Sequence, residues 1–112
     1  MTFAGLLSRV RLAVDDNVLS HERATDAQLL MIAADGVREI WRLAPASRYE
    51  GLSLRTETLS EPLSASGSIP LPDKWIEPLF NYVASRVYGL DPGERTNQEA
   101  AQRHYQRFQQ NL

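Results

Sequence analysis

Between Pro45 and Pro72 the helical spacing that organises the rest of the chain stops, and this break constrains the fold more than any other feature. On either side of it, apolar residues recur three and four apart, the period of an amphipathic helix. Inside it, serine becomes frequent, and prolines and glycines break up the segment. A connection longer than about 15 residues with no secondary structure of its own is uncommon in a compact domain unless it is functional or disordered. The expectation is two pairs of helices joined by a long insertion that is extended rather than helical.

Each helix has its own signals. Phe3, Leu6, Leu7, Val10 and Val14 place one apolar face on a helix over about 3–14, with Thr2 as a cap and Asp15-Asp16-Asn17 as turn chemistry beyond it. Thr25-Asp26 opens a second, over about 26–44, whose face is Leu29, Leu30, Ala33, Val37, Ile40, Trp41 and Ala44. Gly36 inside it costs about 1 kcal/mol against alanine, which marks a close approach by a neighbouring element. A third helix, about 73–89, has an Asx-type start at Asp73 and the face Ile76, Leu79, Phe80, Val83, Val87 and Leu90. Pro78 falls in its first turns, where a missing N–H is best tolerated, and Gly89 with Asp91-Pro92-Gly93 ends it. Thr96-Asn97-Gln98-Glu99 has capping-box spacing for a fourth, about 97–111, with the narrow stripe Ala101, Tyr105, Phe108 and Leu112.

Within the insertion, 51–59 alternates in the manner of a strand, and 67–71 offers a short antiparallel partner across a turn near 64–67. A two-stranded hairpin alone is marginal in water, so it would need a partner surface. The expected fold is mainly α: a four-helix domain spanning 1–112, with a β-hairpin or extended arm, about 45–72, inserted between helices 2 and 3.

At 112 residues the chain suffices for one modest core. Twelve basic and fourteen acidic side chains give a net charge of -2, so no broad positive field is present to hold a nucleic-acid backbone. The acidic excess is local: residues 15–72 carry nine acids against five arginines. The absence of cysteine removes disulfides, thiolate metal sites and cysteine nucleophiles, and is compatible with folding inside a cell. No apolar run has the length of a membrane span and no signal-peptide pattern opens the chain, so a soluble protein is expected.

The residue patterns that carry chemistry are missing. His21 and His104 are far apart and neither has metal-ligand spacing, so each is expected to be a surface histidine. No phosphate-binding glycine loop and no G-x-S-x-G elbow occurs. Asp15-Asp16, as adjacent carboxylates, more often end a helix than make a general base. The reading is no enzyme, with no catalytic residue, no metal and no cofactor. A helix-turn-helix is disfavoured because the second helix opens Asp26-Ala27-Gln28-Leu29-Leu30-Met31, which is apolar where a recognition helix needs polar and basic groups. Arg38 is expected to pair with Asp35 one turn earlier. Trp41 is expected inside the core, and Trp75 is balanced between core and interface anchor.

The order helix, helix, extended insertion, helix, helix, together with 25–40, 69–75, 79–88, 91–101 and Tyr105-Gln106-Arg107-Phe108, resembles the small head–tail connector or adaptor proteins of tailed bacteriophages. The likeness covers nearly the whole chain and departs at 18–24, where this chain looks longer, and through 47–68. It implies a virion protein of the head–tail junction, made in the bacterial cytoplasm. It would form a homo-oligomeric ring of twelve copies that docks under the portal protein and joins it to the tail or the next connector protein. DNA would pass through without sequence-specific binding, and no membrane would be involved. The resemblance further implies that Tyr105, Phe108 and Leu112 face the portal, and that Leu52, Leu54, Thr56, Thr58, Ile69 and Trp75 meet a neighbouring subunit or tail component. The competing readings are a small helical DNA-binding or regulatory protein and an interaction module that stays monomeric.

Overall fold

The computed structural model describes residues 2–13, 25–50, 53–54, 67–89 and 95–112. It is mainly helical: α1 (Phe3–Ala13), α2 (Asp26–Leu43), α3 (Ile76–Gly89) and α4 (Arg95–Gln110). Expected positions at Val14, Asp15-Asp16-Asn17, His21, Leu52, Thr56, Thr58, Leu90 and Asp91-Pro92-Gly93 lie outside the described residues.

Helix α3 is the axis of the body. Ile76, Pro78, Leu79, Phe80, Asn81, Tyr82, Val83, Ala84, Ser85 and Val87 are all buried, because α1, α2 and α4 each pack against it. A helix buried on most of its surface must satisfy its inward polar side chains internally. Asn81 does so by donating from Nδ2 to the Glu77 carbonyl at 3.1 Å, and Ser85 by donating to the Tyr82 carbonyl at 2.7 Å. Pro78 stands third in the helix, where its missing N–H has no helical acceptor to lose.

The caps follow local chemistry. Thr2 Oγ1 accepts from the Gly5 N–H at 3.2 Å. Thr25 and Gln28 form a reciprocal capping box, with the Gln28 N–H donating to Thr25 Oγ1 and the Thr25 N–H donating to Gln28 Oε1. Thr25→Ala removes one of those two bonds and lowers stability by about 1 kcal/mol, to be read as a lower urea midpoint at unchanged slope. Two start signals act differently from expectation. Asp73 does not cap: Pro72 is the N-cap of a 3-10 turn (Asp73–Trp75) that leads into α3, and no side-chain bond closes it. Helix α4 begins at Arg95, ahead of Thr96, so Thr96 lies inside the helix rather than before it.

The core joins Phe3, Leu6, Leu7 and Val10 of α1 with Leu29, Ile32, Ala33, Val37 and Ile40 of α2, the α3 face, and Phe108 of α4. Gly36 lies where α2 crosses α3: an added Cβ would come within 2.7 Å of Leu79 Cδ1 and 2.8 Å of Tyr82 Cδ1. The expected close approach is real.

Between α2 and α3 the ends of the insertion are fixed to this body. Pro45–Arg48 form a 3-10 turn instead of extended chain, and Ser47 is fully buried there with its N–H donating to the Ala44 carbonyl at 2.9 Å. Tyr49–Glu50 then pair antiparallel with Ser53–Leu54. At the far end Ser68 bridges Thr2, and the Phe3 N–H donates to the Gly67 carbonyl at 3.0 Å. Most of the hairpin expected from 51–59 and 67–71 lies outside the described residues; the described partner of its second strand is the N-terminus.

Candidate functional site

Two arginines tie helices together from outside the core, and two more pair within α2. Arg9 of α1 pairs with Glu77 of α3 at 2.5 Å and lies 4.1 Å over the Phe80 ring. Arg11 pairs with Asp26 at 2.7 Å, joining the end of α1 to the start of α2. Arg38 reaches Asp35 at 3.4 Å as expected one turn apart, and Arg42 pairs with Glu39 on the same helix. Exposed pairs of this kind contribute about 0–1 kcal/mol each, so they orient more than they stabilise.

His104 is not a surface residue. It is half-buried in the α3–α4 seam, stacked on Tyr88 at 5.7 Å and 15° and set edge-on to Phe80 at 6.0 Å. Its Nδ1 lies 2.9 Å from Asn81 Oδ1. Burial, then the positive charges of Arg107 and Arg103, hold its pKa below the usual histidine value. Tyr88 in turn donates its hydroxyl to the Ala13 carbonyl at 3.2 Å, so the aromatic series reaches from α4 through α3 to α1. Burial likewise pushes the Tyr82 hydroxyl up, although Arg86 donates to it at 2.9 Å.

Among the described residues no convergent set of reactive groups accompanies these contacts. No group of three or more His, Asp or Glu able to hold a metal occurs among the described residues. One open cleft of about 350 Å³ is lined by Glu99, Gln102, Arg103 and Gln106, a single stripe of α4. Another, about 270 Å³, is lined by Arg9, Asp73, Ile76 and Glu77, and its guanidinium and one carboxylate already neutralise each other. Among the described residues no helix is long and apolar enough to cross a membrane.

The expected contact residues divide sharply. Phe108 is 0% exposed, Ile69 5% and Trp75 7%, so these three are core residues in the free chain and offer no surface to a partner. Their apolar surface is buried in the chain's own core. Tyr105 is 44% exposed, and Leu112 is partly buried against the core. Leu54 is placed in the short pairing, while Leu52, Thr56 and Thr58 fall outside the described residues. Three exposed apolar side chains had no place in the expected site: Leu12, Met31 and Leu43. Leu12 and Met31 were visible in the sequence as apolar residues off their helices' core stripes. Trp41 is partly buried under the Arg48 guanidinium, 4.2 Å from its ring. The indole N–H groups of Trp41 and Trp75 are buried with no hydrogen-bond partner among the described residues. The chain matches no protein-family model, no curated protein and no solved structure.

Proposed function

We propose that this chain is a structural subunit of a phage head–tail connector ring, docking under the portal and linking it to the tail around the path of the DNA. The observation that carries the reading furthest is the anchoring of both ends of the α2–α3 insertion. Ser47 is buried at one end and Ser68 is bridged to Thr2 at the other. A segment fastened at both feet to a rigid helical body keeps a defined origin, which suits an arm that contacts the next protein in an assembly. The net charge of -2 fits a wall that DNA passes without being gripped. The sequence resemblance supplies the portal itself.

In this reading Tyr105 and Leu112, at the end of α4, face the portal. The insertion, with Leu52, Leu54, Thr56 and Thr58, faces a neighbouring copy or a tail component. Phe108, Ile69 and Trp75 support those surfaces from within.

Mixing the purified chain with portal rings of its own phage and imaging the product by electron microscopy tests the proposal. A new ring of density beneath the portal is the expected result. Portal rings that remain bare under conditions where the chain is folded would overturn it. Tight duplex-DNA binding that weakens steeply with salt would point instead to a DNA-binding protein.

A further inference from the structure

The face a helix turns inward is ordinarily set by its apolar stripe, and α4 has two ways to turn. By residue type its stripe is Ala101, Tyr105, Phe108 and Leu112. The side chains turned to α3 follow another line: Ala100 and Phe108 are buried, and His104 stands between them, four residues from each. Phe108 belongs to both lines, so the two settings differ by a turn of roughly 70° about the helix axis at about 3.6 residues per turn. Apolar area alone favours the setting that buries tyrosine, whose ring is larger than an imidazole and carries one polar group instead of two. Yet Tyr105 is 44% exposed and His104 is half-buried.

Asn81 accounts for the choice. It is 2% exposed, its Nδ2 donates to the Glu77 carbonyl at 3.1 Å, and its Oδ1 faces His104, 2.9 Å from Nδ1. With the amide nitrogen committed, that oxygen needs a donor, which places the proton of the neutral imidazole on Nδ1. Nδ1 carries a proton in the charged ring as well, so the bond persists in both forms. Two rings complete the seat: Tyr88 stacks on the imidazole at 5.7 Å and 15°, and Phe80 meets it edge-on at 6.0 Å. Turning α4 to bury Tyr105 would take His104 out of this seat and leave the Asn81 oxygen with its full desolvation penalty.

We propose that the Asn81–His104 pair is a phase selector: it holds α4 in the setting that keeps Tyr105 on the surface, against the setting that would bury it. A polar contact inside an apolar seam adds little stability but penalises every arrangement that breaks it, as one buried asparagine does in fixing coiled-coil register. The pair thereby determines which side chains α4 presents outward. It acts in the free chain, whatever partner Tyr105 meets.

Asn81→Leu keeps the approximate shape of the side chain and removes both amide bonds. In NMR spectra of that variant the α4 amides should report a second setting, in about a tenth of the molecules or more, while α1 and α2 give single signals. The second setting should show contacts from the Tyr105 ring to α3, and adding Tyr105→Gln should abolish it. One set of α4 signals with His104 still stacked on Tyr88 overturns the proposal, as does a second setting that survives Tyr105→Gln. So does an Asn81→Leu chain that fails to fold, because the pair would then be a requirement of folding and not a choice between settings. The parent chain gives an answer that needs no variant: nitrogen chemical shifts placing the proton of the neutral imidazole on Nε2 instead of Nδ1 are incompatible with the selector.

Discussion

Phe108→Ala lowers the stability of the free chain by about 3–5 kcal/mol, the usual cost of deleting a buried aromatic ring and leaving a cavity. The ring is fully buried, edge-on to Tyr82 at 5.2 Å and tilted against Tyr105 at 5.8 Å. The rest of α4 is dominated by glutamine and arginine, so little apolar surface is available to collapse into the space. Domain stabilities of about 5–15 kcal/mol make this a third or more of the total. Tyr105→Ala, three residues away but 44% exposed, shifts stability by less than about 1 kcal/mol. Urea unfolding of both variants separates the two roles. Under the proposed portal docking, Tyr105→Ala is expected to remain folded and lose ring formation, whereas Phe108→Ala is expected to fail because the chain itself is destabilised. A Phe108→Ala chain as stable as the parent would return that residue to the interface.

The pair also shows where periodicity stops being informative. Ala101, Tyr105, Phe108 and Leu112 form an apolar stripe by residue type, but the face that meets α3 runs through Ala100, His104 and Phe108. The phase of a helix with so few apolar residues rests on one or two side chains. Here the decisive one is a histidine whose polarity is answered by Asn81, a contact between positions 23 apart. Stronger stripes are legible: Phe3, Leu6, Leu7 and Val10 in α1, and Leu29, Ala33, Val37 and Ile40 in α2, are buried as their spacing requires. In α3 the spacing identifies the inward residues but not that Asn81, Tyr82 and Ser85 are buried too, because burial beyond one face depends on three neighbours and not on the helix itself.

The candidate contact surface was less legible for a related reason. Ile69, Trp75 and Phe108 have the apolar character of interface anchors, and core residues have the same character. Ile69 enters the core as the chain returns past Ser68, which is pinned to Thr2 by a backbone contact that no side-chain pattern encodes.

Gly36→Ala destabilises the chain despite the better helix propensity of alanine. Propensity favours the change by about 1 kcal/mol. Against it, the new Cβ would lie 2.7 Å from Leu79 Cδ1 and 2.8 Å from Tyr82 Cδ1, inside contact distance. Neither neighbour yields easily: Leu79 is 0% exposed, and the Tyr82 ring is held by Phe108 at its edge and by Arg86 at its hydroxyl. Overpacking of a well-filled core costs about 1–3 kcal/mol, so the net loss for alanine is about 0.5–2 kcal/mol, and Gly36→Val, with two further methyl carbons in the same space, loses more. A double-mutant cycle identifies the cause. Leu79→Val removes the Cδ1 atom, so Gly36→Ala should cost less in that background, with a coupling of about 1 kcal/mol between the two sites. Additive effects would mean that α2 and α3 do not meet at Gly36 as closely as the structure places them.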